Sequence, residues 1–151
     1  MEPDADIEGE VGPLDETALE QIREEFTRVD GLVAEAGFDS LLDPTKLVVR
    51  LDDGIGDAGC CRFDIRWYRL GYYTFHHTDD QGVDFRFDFH PKPDVPNKHF
   101  HEPPDAASAD PPHSCITVTE PKLVTRAVHH LWRRAYETDS LEQLNGAEYP
   151  P

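Results

Sequence analysis

Lysine, cysteine and long apolar runs are all scarce in this chain, and each scarcity excludes something. No stretch approaches the roughly 20 consecutive apolar residues of a membrane-spanning helix, so no membrane partner is expected. Three cysteines, two of them adjacent at Cys60 and Cys61, make no disulfide framework in 151 residues. That count fits a reducing compartment. The acidic stretch Met1 to Glu10 is unlike a signal peptide, so the expected location is cytoplasmic. Lysine occurs four times against ten arginines. With 31 acidic residues against 14 basic ones the net charge is −17, well beyond what solubility requires.

Self-repulsion of that size needs screening. In molar salt the Debye length falls to about 3 Å, and a carboxylate-coated surface is tolerated there that would strain the fold in dilute buffer. The acidic excess, the few lysines and the preference for Asp over Glu resemble proteins of salt-in extreme halophiles, whose cytoplasm is concentrated in potassium chloride. The unfolding temperature is therefore expected to drop strongly between molar and millimolar salt in a calorimetric scan. An unchanged Tm would remove the argument. High net charge also marks disorder, but Phe, Tyr and Trp gather between Phe63 and Phe100 in the alternation that a packed sheet needs.

The pattern predicts one α+β domain over residues 15–138, between an acidic disordered tail at 1–14 and a flexible C-terminal tail at 139–151. Asp15 is a candidate N-cap, and Leu19, Ile22, Phe26, Val29 and Val33 form one apolar stripe, predicting a helix that ends near Gly37. Leu47, Val49 and Leu51 alternate with polar or exposed neighbours. So do Cys61, Phe63, Ile65 and Trp67, then Tyr72 to His77, then Val83, Phe85, Phe87 and Phe89 after the turn Asp79-Asp80-Gln81-Gly82. Pro91 to Pro112 holds seven prolines and is expected to be a functional loop carrying Lys98-His99-Phe100-His101. A short strand at Cys115 to Val118 precedes a closing helix with Thr119 as N-cap, Pro121 at its start, and Val124, Val128, Leu131 and Ala135 buried, running to about Thr138. The expected fold is an N-terminal helix, an antiparallel four-stranded meander sheet, a Pro-rich loop and a C-terminal helix, with both helices over one sheet face.

Arg86, Asp88 and His90 fall on one face of the last strand, and period-two pairing could set Arg62 and Arg66 beside them. The loop then brings Lys98, His99 and His101 to the strand end. Such a cluster suits an RNA phosphate: cations bind its non-bridging oxygens while a histidine moves the proton of the 2′-hydroxyl or of the leaving oxygen. On this basis His99 is the general base or acid, His101 its partner, and Arg86 and Lys98 the phosphate clamp next to Asp88, with no cofactor needed. The plainer alternative pairs Arg62, Arg66 and Arg86 with Asp64, Asp84 and Asp88 on a solvated face, with His76 and His77 packing or capping and His129 and His130 solvated on their helix. A third possibility is zinc held by His99, His101, His113 and Cys115, giving a zinc-stabilised or non-catalytic interaction module. Cys60 and Cys61, close to Asp57, do not favour a reactive thiolate.

The run Tyr72-Tyr73-Thr74-Phe75-His76-His77, the strand Phe85-Arg86-Phe87-Asp88, the loop Lys98-His99-Phe100-His101 and the closing helix together resemble the TumE-like family over roughly Lys46 to Tyr136. That family comprises toxin components of small toxin–antitoxin modules, so the resemblance implies a cognate antitoxin as partner. The chain departs from the family pattern at Phe87 and Phe89, and at Pro96-Asn97, where paired histidines usually precede the lysine.

Overall fold

The computed structural model describes residues 12–90, 98–106 and 111–146. Most of the acidic N-terminal segment, the end of the C-terminal one and two parts of the Pro-rich segment lie outside the described residues. Helix α1 (Glu16–Val29) begins as expected, with the Asp15 carboxylate accepting from the Ala18 N–H at 3.0 Å. It ends well before Gly37. Asp30 leaves the helical region at φ −140°, ψ 117°, and its carboxylate accepts from the Leu32 N–H at 2.9 Å, an Asx turn that outcompetes further helix. The chain after it becomes β1 (Val33–Phe38), so Val33 belongs to a strand and not to the helical stripe.

The remaining strands are β2 (Leu47–Leu51), β3 (Cys61–Trp67), β4 (Tyr73–Asp79), β5 (Asp84–Phe89) and β6 (Lys98–His101), followed by helix α2 (Pro121–Thr138). They form one antiparallel sheet of six strands in sequence order, not four. The expected meander is β2 to β5, and an edge strand was added on each side. Lys98 to His101 pairs with β5 instead of looping, and Cys115 to Val118 is no strand of the sheet. The cap of α2 is Glu120, one residue after Thr119.

Alternation gives the sheet two unlike faces. Cys61, Phe63, Ile65, Phe75, Phe85, Phe87 and Phe100 are buried in one core with α1 and α2 residues, among them the fully buried Phe26, Leu131 and Trp132. The Phe26 ring lies 5.3 Å from Phe63, so both helices cover this face. His77 is also here, stacked on Phe85 at 4.3 Å, and burial pushes its imidazole down to about 4. The helices are joined by Asp30, whose buried carboxylate meets His129 Nε2 at 2.8 Å and Arg133 Nη1 at 3.1 Å. His129 is thus a helix-pairing residue and not a solvated one, whereas His130 is exposed. Residues 139–146, expected in the tail, dock through the buried Leu144 and through Asn145, which accepts from the Cys115 N–H at 2.7 Å. Among the described residues no helix is long and apolar enough to cross a membrane.

Candidate functional site

The other face of the sheet is polar, and its register lines up the side chains of interest in two rows. One row runs Asp64, His76, Arg86, His101 across β3 to β6; the next runs Arg66, Thr74, Asp88, His99. Directly opposed residues of antiparallel strands stand about 5 Å apart, so β5 and β6 supply a compact group while β4 separates it from Arg66. Arg62, opposite Thr78, is not beside Arg86 either; it pairs with Asp64 at 3.2 Å, and Lys46 reaches the same carboxylate at 3.4 Å.

Asp88 is the hub. It is only 2% exposed, yet its Oδ2 has Arg86 Nε at 2.9 Å, His101 Nε2 at 3.0 Å, His90 Nε2 at 3.5 Å and His99 Nε2 at 3.7 Å. Burial pushes this carboxyl up, but the hydrogen bond from His101, the nearby His90 imidazole and the Arg86 guanidinium outweigh it and hold the group well below the usual carboxylate range. It is therefore an anion at neutral pH. The His99 ring meets His90 and His101 edge-on, with centroids 4.7 and 4.8 Å away. His101 Nε2 also lies 3.2 Å from Arg86 Nη2.

Four of the five expected site residues, Arg86, Asp88, His99 and His101, are brought together here. Lys98 is not. Strand alternation turns it to the helix side, where its ammonium donates to the carbonyls of Thr117 and Val118 at 3.3 and 2.9 Å and lies 5.3 Å from the centroid of the Phe89 ring. Burial pushes its pKa down. It cannot share a phosphate with Arg86 from there. The ion pairs of the plainer alternative do form at Arg62–Asp64 and Arg86–Asp88, but along each strand and not across it.

His76 escaped prediction as a site residue, and His90 was expected on this face without an assigned role. His90 continues the face of Asp88 beyond β5, and His76 sits opposite Arg86, 30% exposed and 3.6 Å from Asp84 Oδ1. His76 alternates with Thr74 and Thr78 on the polar face, a period-two signal that could have identified it. Burial, offset in part by Asp84, lowers its pKa.

For zinc, His113 is exposed and bridges His99 through the backbone, while the Cys115 N–H is bound to Asn145. Among the described residues, the donors that converge to within 4.8 Å of one another are instead those of Asp88, His90 and His99. Burial, with help from Asp79, pushes the Cys61 thiol up to about 12, against any thiolate role.

Comparison with known proteins gives the family. A search of curated proteins and one of solved structures each found no match. The family model described as Toxin TumE matches residues 19–139, which spans most of α1, the entire sheet and α2, and the chain belongs to that toxin family.

Proposed function

We propose that this chain is the toxin of a toxin–antitoxin pair, held silent by a cognate antitoxin, and that it acts on RNA through the Asp88 cluster. Membership of the toxin family supports the first half. The observation that carries the second is the position of His101 Nε2, 3.0 Å from Asp88 Oδ2 and 3.2 Å from Arg86 Nη2. With a proton on that nitrogen His101 donates to the carboxylate; without it, the same nitrogen accepts from the guanidinium. Each protonation state has its own partner, which is what a group that takes up and returns a proton requires.

Arg86 is 30% exposed and uses Nε and Nη2 inward, so its remaining edge can meet a phosphate oxygen. In the reaction that fits, His101 takes the 2′-hydroxyl proton as the 2′-oxygen attacks phosphorus. The 5′-oxygen leaves and takes that proton back from the His101 imidazolium, giving a 2′,3′-cyclic phosphate. Asp88 stabilises the transient imidazolium, and Arg86 stabilises the added charge on phosphorus. The net charge of −17 opposes binding in dilute buffer, but molar salt confines that field to a few ångströms.

Purified chain incubated with RNA in concentrated potassium chloride should release fragments ending in cyclic phosphate, and co-addition of the antitoxin should stop it. Growth arrest on expression with the cellular RNA left intact would overturn the RNA half of the proposal.

A further inference from the structure

We propose that Asp88, His90 and His99 bind one divalent transition-metal ion of the zinc class at the floor of the polar sheet face. The separations argue for it first. From Asp88 Oδ2 to His90 Nε2 is 3.5 Å and to His99 Nε2 is 3.7 Å. These are long for hydrogen bonds. Metal–ligand bonds of about 2.0–2.2 Å arranged as a tetrahedron place neighbouring donors about 3.3 Å apart, close to both Asp88–histidine separations, and one donor atom of each of the three residues lies within 4.8 Å of the others.

The placement is also preorganised. Asp88 and His90 come from one face of β5 and its end, and His99 is the register partner of Asp88 on β6, so the ladder fixes all three without a flexible loop. All three are more than nine-tenths buried. Asp88 Oδ1 and His90 Nδ1 are buried with no hydrogen-bond partner among the described residues. Interiors rarely leave polar atoms so, and a cation held by Asp88 Oδ1 would answer the requirement at that atom. Two imidazoles and one carboxylate suit zinc, iron(II), cobalt or nickel and not magnesium or calcium, which need oxygen ligands.

Arg86 is the objection, because its guanidinium already serves Asp88. A carboxylate has about four acceptor positions, however; Arg86 Nε and His101 Nε2 occupy two of them on Oδ2, which leaves Oδ1 for a cation. His101, at 3.0 Å from Asp88, then acts as the outer hydrogen-bond partner that orients a ligating carboxylate. A fourth position would be open to water or to a phosphate oxygen, which would polarise phosphorus next to Arg86. That role rests on the RNA activity proposed above, but metal binding itself can be measured without RNA.

The test uses the full chain in concentrated potassium chloride, stripped with a chelator and titrated with zinc chloride. About one equivalent should bind, with a rise in Tm of roughly 5–10 °C at a hundredfold excess over Kd. Cobalt(II) should give visible bands of a tetrahedral nitrogen and oxygen site, with no thiolate charge-transfer band. His90→Gln should abolish both signals, and His113→Gln and Cys115→Ser should leave them intact. Folded wild-type chain that binds no zinc would overturn the proposal, as would a thiolate band or binding lost only on changing His113 or Cys115. If His90→Gln does not fold, the wild-type cobalt spectrum decides alone. RNA cleavage that persists in metal-free protein removes the metal's role but not the RNA activity; metal binding without RNA cleavage does the reverse.

Discussion

His101→Gln is expected to lower RNA cleavage by about 10²–10⁴-fold, the usual contribution of a positioned acid–base group, and to abolish growth inhibition at matched expression. Glutamine keeps an N–H near the position of His101 Nε2 and can still donate to Asp88, so the fold should survive. What it lacks is basicity: it cannot take up the 2′-hydroxyl proton and return it to the leaving 5′-oxygen. The loss should appear in kcat more than in KM, because Arg86, not His101, supplies phosphate binding. His130→Gln, on the exposed side of α2, is the matched control and should change neither. Full cleavage by folded His101→Gln protein, together with loss in His99→Gln, would move the proton-carrying role to His99.

The parts of this molecule that were legible in its sequence are those in which one periodic pattern had no rival. β2 to β5 alternate strictly because one face packs against helices and the other meets polar surroundings, and the turn at Asp79–Gly82 fixes where β4 stops. The stripe of α2 was equally plain, with Val124, Val128, Leu131 and Ala135 all buried as expected. Val33 misled because it stands at helical spacing from Val29 and Phe26. The side chain that decides the matter is Asp30, whose Asx turn ends the helix locally and whose carboxylate is then needed by His129 and Arg133.

The edge strand β6 was hidden by composition. Prolines on both sides suggested a loop, although His99-Phe100-His101 already carries the polar, apolar, polar alternation of a strand. That strand explains both the success and the failure at the site. Pairing with β5 puts His99 opposite Asp88 and His101 opposite Arg86, and the same alternation that joins them sends Lys98 to the far face beside Phe89. Phe100 is buried, and it pins the strand to the core from the side opposite the histidines. The period-two spacing already set His90 on the face of Arg86 and Asp88, but its role came only from three-dimensional closure, which brings the His99 ring within 4.7 Å.

Asp88→Asn is expected to cost about 3–5 kcal/mol of folding stability at pH 7, measured by urea unfolding of chelator-treated protein, or roughly 10 °C in Tm. The carboxylate is the single anion that Arg86, His90, His99 and His101 share at close range, and the amide would leave a buried guanidinium edge facing a neutral group. The pH dependence gives an independent check. The folded-state pKa of Asp88 is depressed, so its stabilisation is fully present above the unfolded carboxylate value of about 3.9 and is lost only as pH falls toward the lower folded value. The gap between wild type and Asp88→Asn should therefore persist at pH 5 and narrow as pH falls below about 4. Adding Arg86→Gln to Asp88→Asn should recover part of the loss, because it removes the cation left unpaired. An Asp88→Asn chain as stable as wild type at pH 7, or a gap that widens in acid, would show that the buried carboxylate does not organise this face of the sheet.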